Sequence, residues 1–207
     1  GQKKHCSFCG LNGGGMTYRA KSAERVVEEF ALLAERYDCN RFQVVDNILD
    51  LGHIKTVLPI FAHLDDRYHI FYETKANLRK SQMRVLADAG VRWLQPGIES
   101  MHDEVLGLLN KGNSAIMNVQ FLKWARELGQ VVYWNVLMGA PGEVDAWYAD
   151  TMAWLPLVIH LQPPACADWI RYDRFSPYFE HPERWGLRLR PNTVSYTHLR
   201  AHETLRY

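Results

Sequence analysis

Apolar and polar positions along the chain follow two alternating periods. From Ser22 to Tyr37, Val26, Val27, Phe30, Leu33 and Ala34 share one helical face, and Glu24, Arg25, Glu28, Glu29 and Glu35 share the other. That spacing predicts an amphipathic helix, with Ser22 as its N-cap. The run from Phe42 to Asn47 predicts a short buried strand, and Ile48 to Leu64 returns to helical spacing, with Pro59 marking a kink or break. Tyr68 to Thr74 alternates and carries β-branched and aromatic residues, as strands do. A helix from Asn77 to Ala89 ends at Gly90, and a third strand covers Val91 to Ile98. Two helices follow, Asp103 to Leu109, closed near Gly112, and Ser114 to Leu128, ended by Gly129. A fourth strand is expected from Val131 to Met138, a helix disturbed by Pro156 from Glu143 to Ile159, and a fifth strand from Ala167 to Phe175. No internal repeat is visible.

Strand and helix therefore alternate, and the strands are nearly continuous apolar runs, which suits a parallel sheet covered on both faces. The fold class is α/β, and periodicity leaves two architectures open, a βα barrel or an open doubly wound sheet. Both bind ligands at the carboxyl ends of their strands. Those ends are polar here: Asp46-Asn47, Glu73-Thr74-Lys75, Gly97-Ile98-Glu99-Ser100, Gly139-Ala140-Pro141-Gly142-Glu143, and Arg171, Asp173 and Arg174 followed by Ser176. Taken singly, each reads equally well as a loop residue or helix cap. Five strands delivering polar groups to one rim favour a site there. The loop bearing Cys6 and Cys9 precedes the first helix and so belongs on the same rim.

Composition narrows the function classes. With 207 residues, 47% hydrophobic and 23% charged, the chain can bury a core in one domain, or two at most, and is neither disordered nor a disulfide scaffold. The net charge of +1 gives no basic excess, so neither nucleic acid nor an anionic membrane is an expected partner. No apolar run is long enough to span a bilayer and there is no signal peptide, so the expected compartment is cytoplasmic. The chain opens on Gly1 and reaches Cys6 almost at once, and we expect a fragment whose beginning is missing.

The four cysteines are Cys6, Cys9, Cys39 and Cys166. The first two form a C-x-x-C pair. Attachment of a c-type haem would need His where Gly10 stands. A thioredoxin-like pair would need a helix start beneath it, and Leu11-Asn12-Gly13-Gly14-Gly15 reads as loop. A zinc site would need a second pair at similar spacing, leaving only scattered histidines as further donors. An iron–sulfur cluster takes several thiolates from one exposed loop. The pair alone does not choose among the last three.

Longer motifs supply the context. Cys6-Ser7-Phe8-Cys9-Gly10 followed by Tyr18-Arg19-Ala20-Lys21-Ser22-Ala23-Glu24-Arg25-Val26 resembles the cluster loop and first helix of radical S-adenosylmethionine (SAM) enzymes. Gly97-Ile98-Glu99-Ser100 with Val105-Leu106 and Lys111-Gly112 is similar to their fourth-strand motif, and Gly139-Ala140-Pro141-Gly142-Glu143 to their fifth. Val45-Asp46-Asn47 stands where many members have Gly-Gly-Glu. Lys4-His5 ahead of the cysteines, Asn12-Gly13 after them, Tyr72-Glu73-Thr74-Lys75-Ala76-Asn77, Trp93-Leu94-Gln95-Pro96, His160-Leu161-Gln162-Pro163-Pro164 and Asp173-Arg174-Phe175-Ser176-Pro177-Tyr178-Phe179 resemble a narrower group, which matures ribosomally made peptide natural products (RiPPs). Those proteins usually carry a cobalamin-binding domain ahead of the radical domain. The resemblance covers roughly residues 1 to 190.

It implies a partial (βα)6 TIM-like barrel lacking its first strand, over residues 1–191, and a 4Fe–4S cluster held by three cysteines. The open fourth iron chelates S-adenosylmethionine through its amino and carboxylate groups. One electron breaks the S–C5′ bond and gives a 5′-deoxyadenosyl radical, which abstracts hydrogen from substrate. By resemblance, Cys6 and Cys9 are cluster ligands and Phe8 sits near the adenine. Asp46 and Asn47 meet the methionine amino group, and Glu99 bonds the nucleoside or the methionine end. The turn of Gly139, Pro141 and Gly142 lets backbone approach the adenine, and Arg171 and Arg174 contact carboxylate or substrate, unless they are ordinary ion-pair residues. Implied partners are a precursor peptide and an electron donor such as flavodoxin or ferredoxin, with cobalamin a further cofactor held outside this chain. A cobalamin-dependent methyltransferase or methylthiotransferase of other substrates is the alternative within the family, and a zinc-bound or purely structural βα module the alternative outside it.

Two departures from the family pattern carry expectations. The third cysteine should precede Cys6, yet position 5 is His. Cys39 and Cys166 both precede strands and so belong on the opposite rim. The chain by itself is therefore expected to assemble cluster poorly and to be inactive. From about Asn192, Thr193-Val194-Ser195-Tyr196-Thr197-His198-Leu199-Arg200-Ala201-His202-Glu203-Thr204 resembles translated sequencing adapter, and residues 192–207 are set aside from the fold.

Overall fold

The computed structural model describes residues 5–11, 17–64 and 68–190. Helix α1 (Ala23–Tyr37) starts where Ser22 accepts a hydrogen bond from Arg25 N, and it buries Val26, Phe30 and Ala34. Strand β1 (Arg41–Gln43) follows, then α2 (His53–Thr56) and α3 (Leu58–Ala62), split at Val57 so that Pro59 falls in the first turn of α3, where its missing N–H costs nothing. Next come β2 (His69–Glu73), α4 (Lys80–Asp88), β3 (Val91–Gln95), α5 (Asp103–Leu108) and α6 (Ala115–Glu127). The predicted fourth strand is present in two pieces, β4 (Val131–Val132) and β5 (Asn135–Met138). Helix α7 (Asp145–Trp154) runs into a 3-10 turn at Leu155–Val158, which contains Pro156. Strand β6 (Cys166–Trp169) and the short α8 (Pro177–Glu180) complete the described elements, with a 3-10 turn at Pro182–Trp185. Gly90, Gly112 and Gly129 follow their helices at φ 84°, 74° and 69°, as chain reversals at helix ends require.

Every strand pairing is parallel, and the order β1-β2-β3-β4 follows the sequence without reversal. A parallel bridge between Glu99 and Val136 carries the sheet on to β5, which pairs with β6. A doubly wound sheet would reverse its order at a switch point. Monotonic order with right-handed crossovers instead lays all the helices on one side and curls the sheet, which decides for the TIM-like barrel in partial form. Ile70, Tyr72, Val91, Leu94, Val132 and Trp134 face the helices in one core with Phe30, Leu58, Met83, Leu86 and Phe121. A second, smaller core of Val105, Leu109, Ala140 and Ile170, with Phe8, Leu137 and Tyr172 against it, lies under the cysteine loop. Among the described residues no helix is long and apolar enough to cross a membrane.

Candidate functional site

Cys6 and Cys9 stand at the two ends of a tight turn closed by Cys9 N donating to the Cys6 carbonyl at 3.3 Å. Both thiols are free and half-buried. The turn is tied to the end of α5, whose last carbonyls have no partner within the helix. Ser7 N donates to Leu109 O and Ser7 Oγ to Leu108 O, each at 3.0 Å, while Tyr178 N donates to Ser7 O at 2.9 Å. Asn110 Nδ2 donates to His5 O at 2.8 Å, and His5 Nε2 lies 2.6 Å from Cys9 O. Gly10 packs so closely on the chain before α8 that a Cβ there would lie 1.9 Å from Arg174 O. These contacts, drawn from opposite ends of the sequence, hold the two sulfurs in place.

Lys111 joins this loop to Glu99. Its Nζ is 3.3 Å from Glu99 Oε1 and 5.7 Å from the centre of the Phe8 ring, and both charged side chains are largely covered, at 12% and 17% exposure. Gly97, at φ 59°, leaves the ammonium room, because a Cβ there would come within 3.0 Å of it. Burial pushes the Cys9 thiol above its ordinary pKa and neighbouring Cys6 adds to the rise, while Lys111 acts in the opposite sense. A cation bound between the sulfurs would reverse that balance.

After β5 the chain folds back on itself. The Glu143 carboxylate accepts from Gly139 N at 3.1 Å, from Ala140 N at 3.0 Å and from the Tyr148 hydroxyl at 2.5 Å. Gly139 and Gly142 have φ of 84° and 89°. The space a Cβ would need at Gly139 is filled by the Trp169 ring, 2.7 Å away, so the protein itself makes the close approach there. Tyr172 Oη donates to Gly139 O at 3.4 Å, which connects this turn with Pro141 in it to the second core and thus to Phe8.

The structure therefore gathers Cys6, Cys9, Phe8, Glu99 and the Gly139–Gly142 turn at one end of the sheet. Asp46 and Asn47 follow β1 on the same rim, in a separate group with Tyr18, Asp50 and Tyr72, where burial, and to a lesser extent Asp46, raises the pKa of Tyr72 and Asp50 accepts from Tyr18. Arg174 meets the cysteine loop through its carbonyl, while its guanidinium lies 4.9 Å from its neighbour Phe175, and Arg171 is exposed. Cys39 lies in the α1–β1 connection and Cys166 opens β6, both at amino ends of strands, on the far rim. The predicted Asn12–Gly15 part of the loop and the tail from 192 fall outside the described residues. Sequence reasoning did not single out Lys111, Ser7, Asn110 or Tyr178 for the site. Lys111 stands in a quoted motif, but only the fold shows it turned toward Glu99.

Two half-buried thiols on one clamped turn, with a cation beside them, suit two corners of a cluster. Among the described residues no group of three or more His, Cys, Asp or Glu could hold a metal ion, so the remaining donor is not in view. The Radical SAM superfamily profile matches residues 3–155, from the cysteine loop through α7. The chain belongs to the radical SAM superfamily. Several solved radical SAM proteins share its fold. The methyltransferase TsrM from Kitasatospora setae, with cobalamin and a 4Fe–4S cluster bound, matches with a TM-score of 0.75 at 20% identity, over 87% of this chain and 37% of that one. The cobalamin-dependent S-adenosylmethionine radical enzyme OxsB, with aqua-cobalamin bound, matches with a TM-score of 0.64 at 14% identity, over 87% and 33%. By sequence, an uncharacterized methyltransferase of Pyrococcus horikoshii is 24% identical over 150 residues, 67% of this chain and 31% of its own length. The chain thus spans about a third of the length of these relatives.

Proposed function

We propose that this domain binds a 4Fe–4S cluster and S-adenosylmethionine within a cobalamin-dependent radical SAM enzyme, that the reaction class is methyl transfer, and that the substrate is a ribosomally made peptide. The observation that carries the reading is the clamped Cys6–Cys9 turn at the carboxyl end of a partial parallel barrel, in a fold shared with two radical enzymes solved with cobalamin bound. When bound, the cluster supplies the electron that opens S-adenosylmethionine.

The chain's own residues bind and orient. Cys6 and Cys9 would hold two irons. Glu99, compensated by Lys111, would accept hydrogen bonds from the nucleoside or the methionine end. Asp46 and Asn47 would take the methionine amino group, and Phe8 with the turn of Gly139, Pro141 and Gly142 would border the adenine. Arg171 and Arg174 are left to carboxylates of the ligand or peptide. A precursor peptide and a flavodoxin- or ferredoxin-like donor are the proposed partners. The motifs shared with peptide-maturing enzymes support the substrate class.

The test is anaerobic reconstitution of the full-length protein with iron, sulfide and cobalamin, followed by incubation with methyl-deuterated S-adenosylmethionine and candidate precursor peptides. Label in a peptide is the expected result. Iron-loaded protein that cleaves S-adenosylmethionine without labelling any of the peptides would overturn methyl transfer to that substrate class. Colourless, zinc-loaded protein would overturn the whole reading.

A further inference from the structure

The segment after β3 reverses abruptly. Ser100 N donates to Ile98 O at 2.7 Å, closing a three-residue γ-turn whose central residue, Glu99, has φ 59°. Such left-handed γ-turns are rare and strained, and unlike Gly97 a glutamate must place its Cβ in that conformation. The turn needs to be held from outside. Leu137 N holds one side of it, donating to Glu99 O at 2.9 Å.

The other hold is Asn118 of α6, which is fully buried. Its Nδ2 donates to the carbonyls on both sides of Glu99, Ser100 O at 2.8 Å and Ile98 O at 3.4 Å, using the two N–H groups of one amide. Its Oδ1 accepts from Asn113 Nδ2 at 2.7 Å, which fixes the direction of the amide. Asparagine is a poor helix former, and burying its carboxamide costs free energy that an aliphatic side chain would not. The hydrogen bonds of its carboxamide all go to the Glu99 turn or to Asn113.

We propose that Asn118 is a positioning residue for S-adenosylmethionine, clamping the γ-turn that sets the direction of the Glu99 carboxylate. The inference rests on the reading of Glu99 as a contact of that ligand. It makes Asn113 a second, outer support, and it accounts for an amide in a helix face that otherwise buries Phe121, Leu122 and Ala125.

A double-mutant cycle on the cluster-loaded full-length protein tests it. Equilibrium binding of S-adenosylmethionine is measured for wild type, Asn118→Ala, Glu99→Gln and the double variant, with amide hydrogen exchange at Ser100 recorded without ligand. Asn118→Ala is expected to weaken binding about tenfold, the effect of one buried bond left unmade, and to speed exchange at Ser100. In the Glu99→Gln background the same change should add little, because its target is already gone. If Asn118→Ala is too unstable to load, Asn113→Ala takes its place in the cycle, with a smaller effect of the same kind. Full additivity of the two changes, or unchanged binding in both asparagine variants, overturns the positioning role while leaving Glu99 as a contact. Unchanged binding in Glu99→Gln alone overturns the reading of Glu99 and the proposal with it.

Discussion

Ser7 and Tyr178 donate to the same acceptor: both hydroxyls lie 3.0 Å from the carbonyl oxygen of Leu108, the last residue of α5. One residue lies between the two thiols and the other on α8, so a single helix-end carbonyl fastens the cysteine loop and the C-terminal segment together. Ser7→Ala or Tyr178→Phe alone should cost little, about 1 kcal/mol, since the other hydroxyl still satisfies the carbonyl. The double variant leaves this half-buried carbonyl without either donor and should cost more than the sum. Urea denaturation of the four proteins measures this, and strict additivity would mean that the shared acceptor is not what couples the two segments.

Gly10→Ala places a Cβ 1.9 Å from Arg174 O, a backbone atom that cannot swing aside. The loop must lift from the chain before α8, at a cost of about 1–3 kcal/mol. After anaerobic reconstitution of the full-length protein, the variant should hold less iron than wild type at unchanged far-ultraviolet circular dichroism.

Lys111→Met leaves the Glu99 carboxylate covered and unpaired. Removing one partner of a largely covered pair should destabilise the protein by about 1–3 kcal/mol. Lys111→Arg keeps the charge but must fit a planar guanidinium where Gly97 already lies close, so it should fall between wild type and Met. Thermal denaturation of the three proteins checks the order.

Glu73, at the carboxyl end of β2, has its pKa raised by burial above the ordinary glutamate value of 4.5. A carboxyl whose folded pKa lies above its unfolded one favours the folded state fully only below the unfolded value, and loses that contribution as pH rises through the folded one. Glu73→Gln should therefore raise the melting temperature at neutral pH, with the gain shrinking as pH falls toward 4.5. A gain that grows on acidification would contradict the assigned sign.

The alternation of elements was legible from hydrophobic spacing, because each helix buries one stripe and each strand a short apolar run. Strand ends were less so. Expected to reach Asn47, the first strand stops at Gln43, although Val44 N still donates to Phe71 O. The fourth breaks at Tyr133 and Trp134, where Trp134 turns its Nε1 to Gln162 O at 3.0 Å. The last ends at Trp169 rather than Phe175, because the chain beyond Ile170 leaves the sheet to close over the cysteine loop. Periodicity could not separate a barrel from a doubly wound sheet, since strand order is a long-range property. The thiol pair and the glycine turn were visible as motifs. The contacts of Ser7, Lys111, Asn118 and Tyr178 were not, because each is made across the fold to a partner that local sequence does not name.

Cys6 and Cys9 are proposed as two of the thiolates that hold the cluster. Mössbauer spectroscopy of the full-length protein, reconstituted anaerobically with iron-57 as wild type, Cys6→Ser and Cys9→Ser, tests this most directly. Wild type should give a 4Fe–4S signal that is lost or greatly reduced in each variant, with little change in Cys39→Ser on the far rim. Undiminished 4Fe–4S signal in both the Cys6 and Cys9 variants would contradict that assignment.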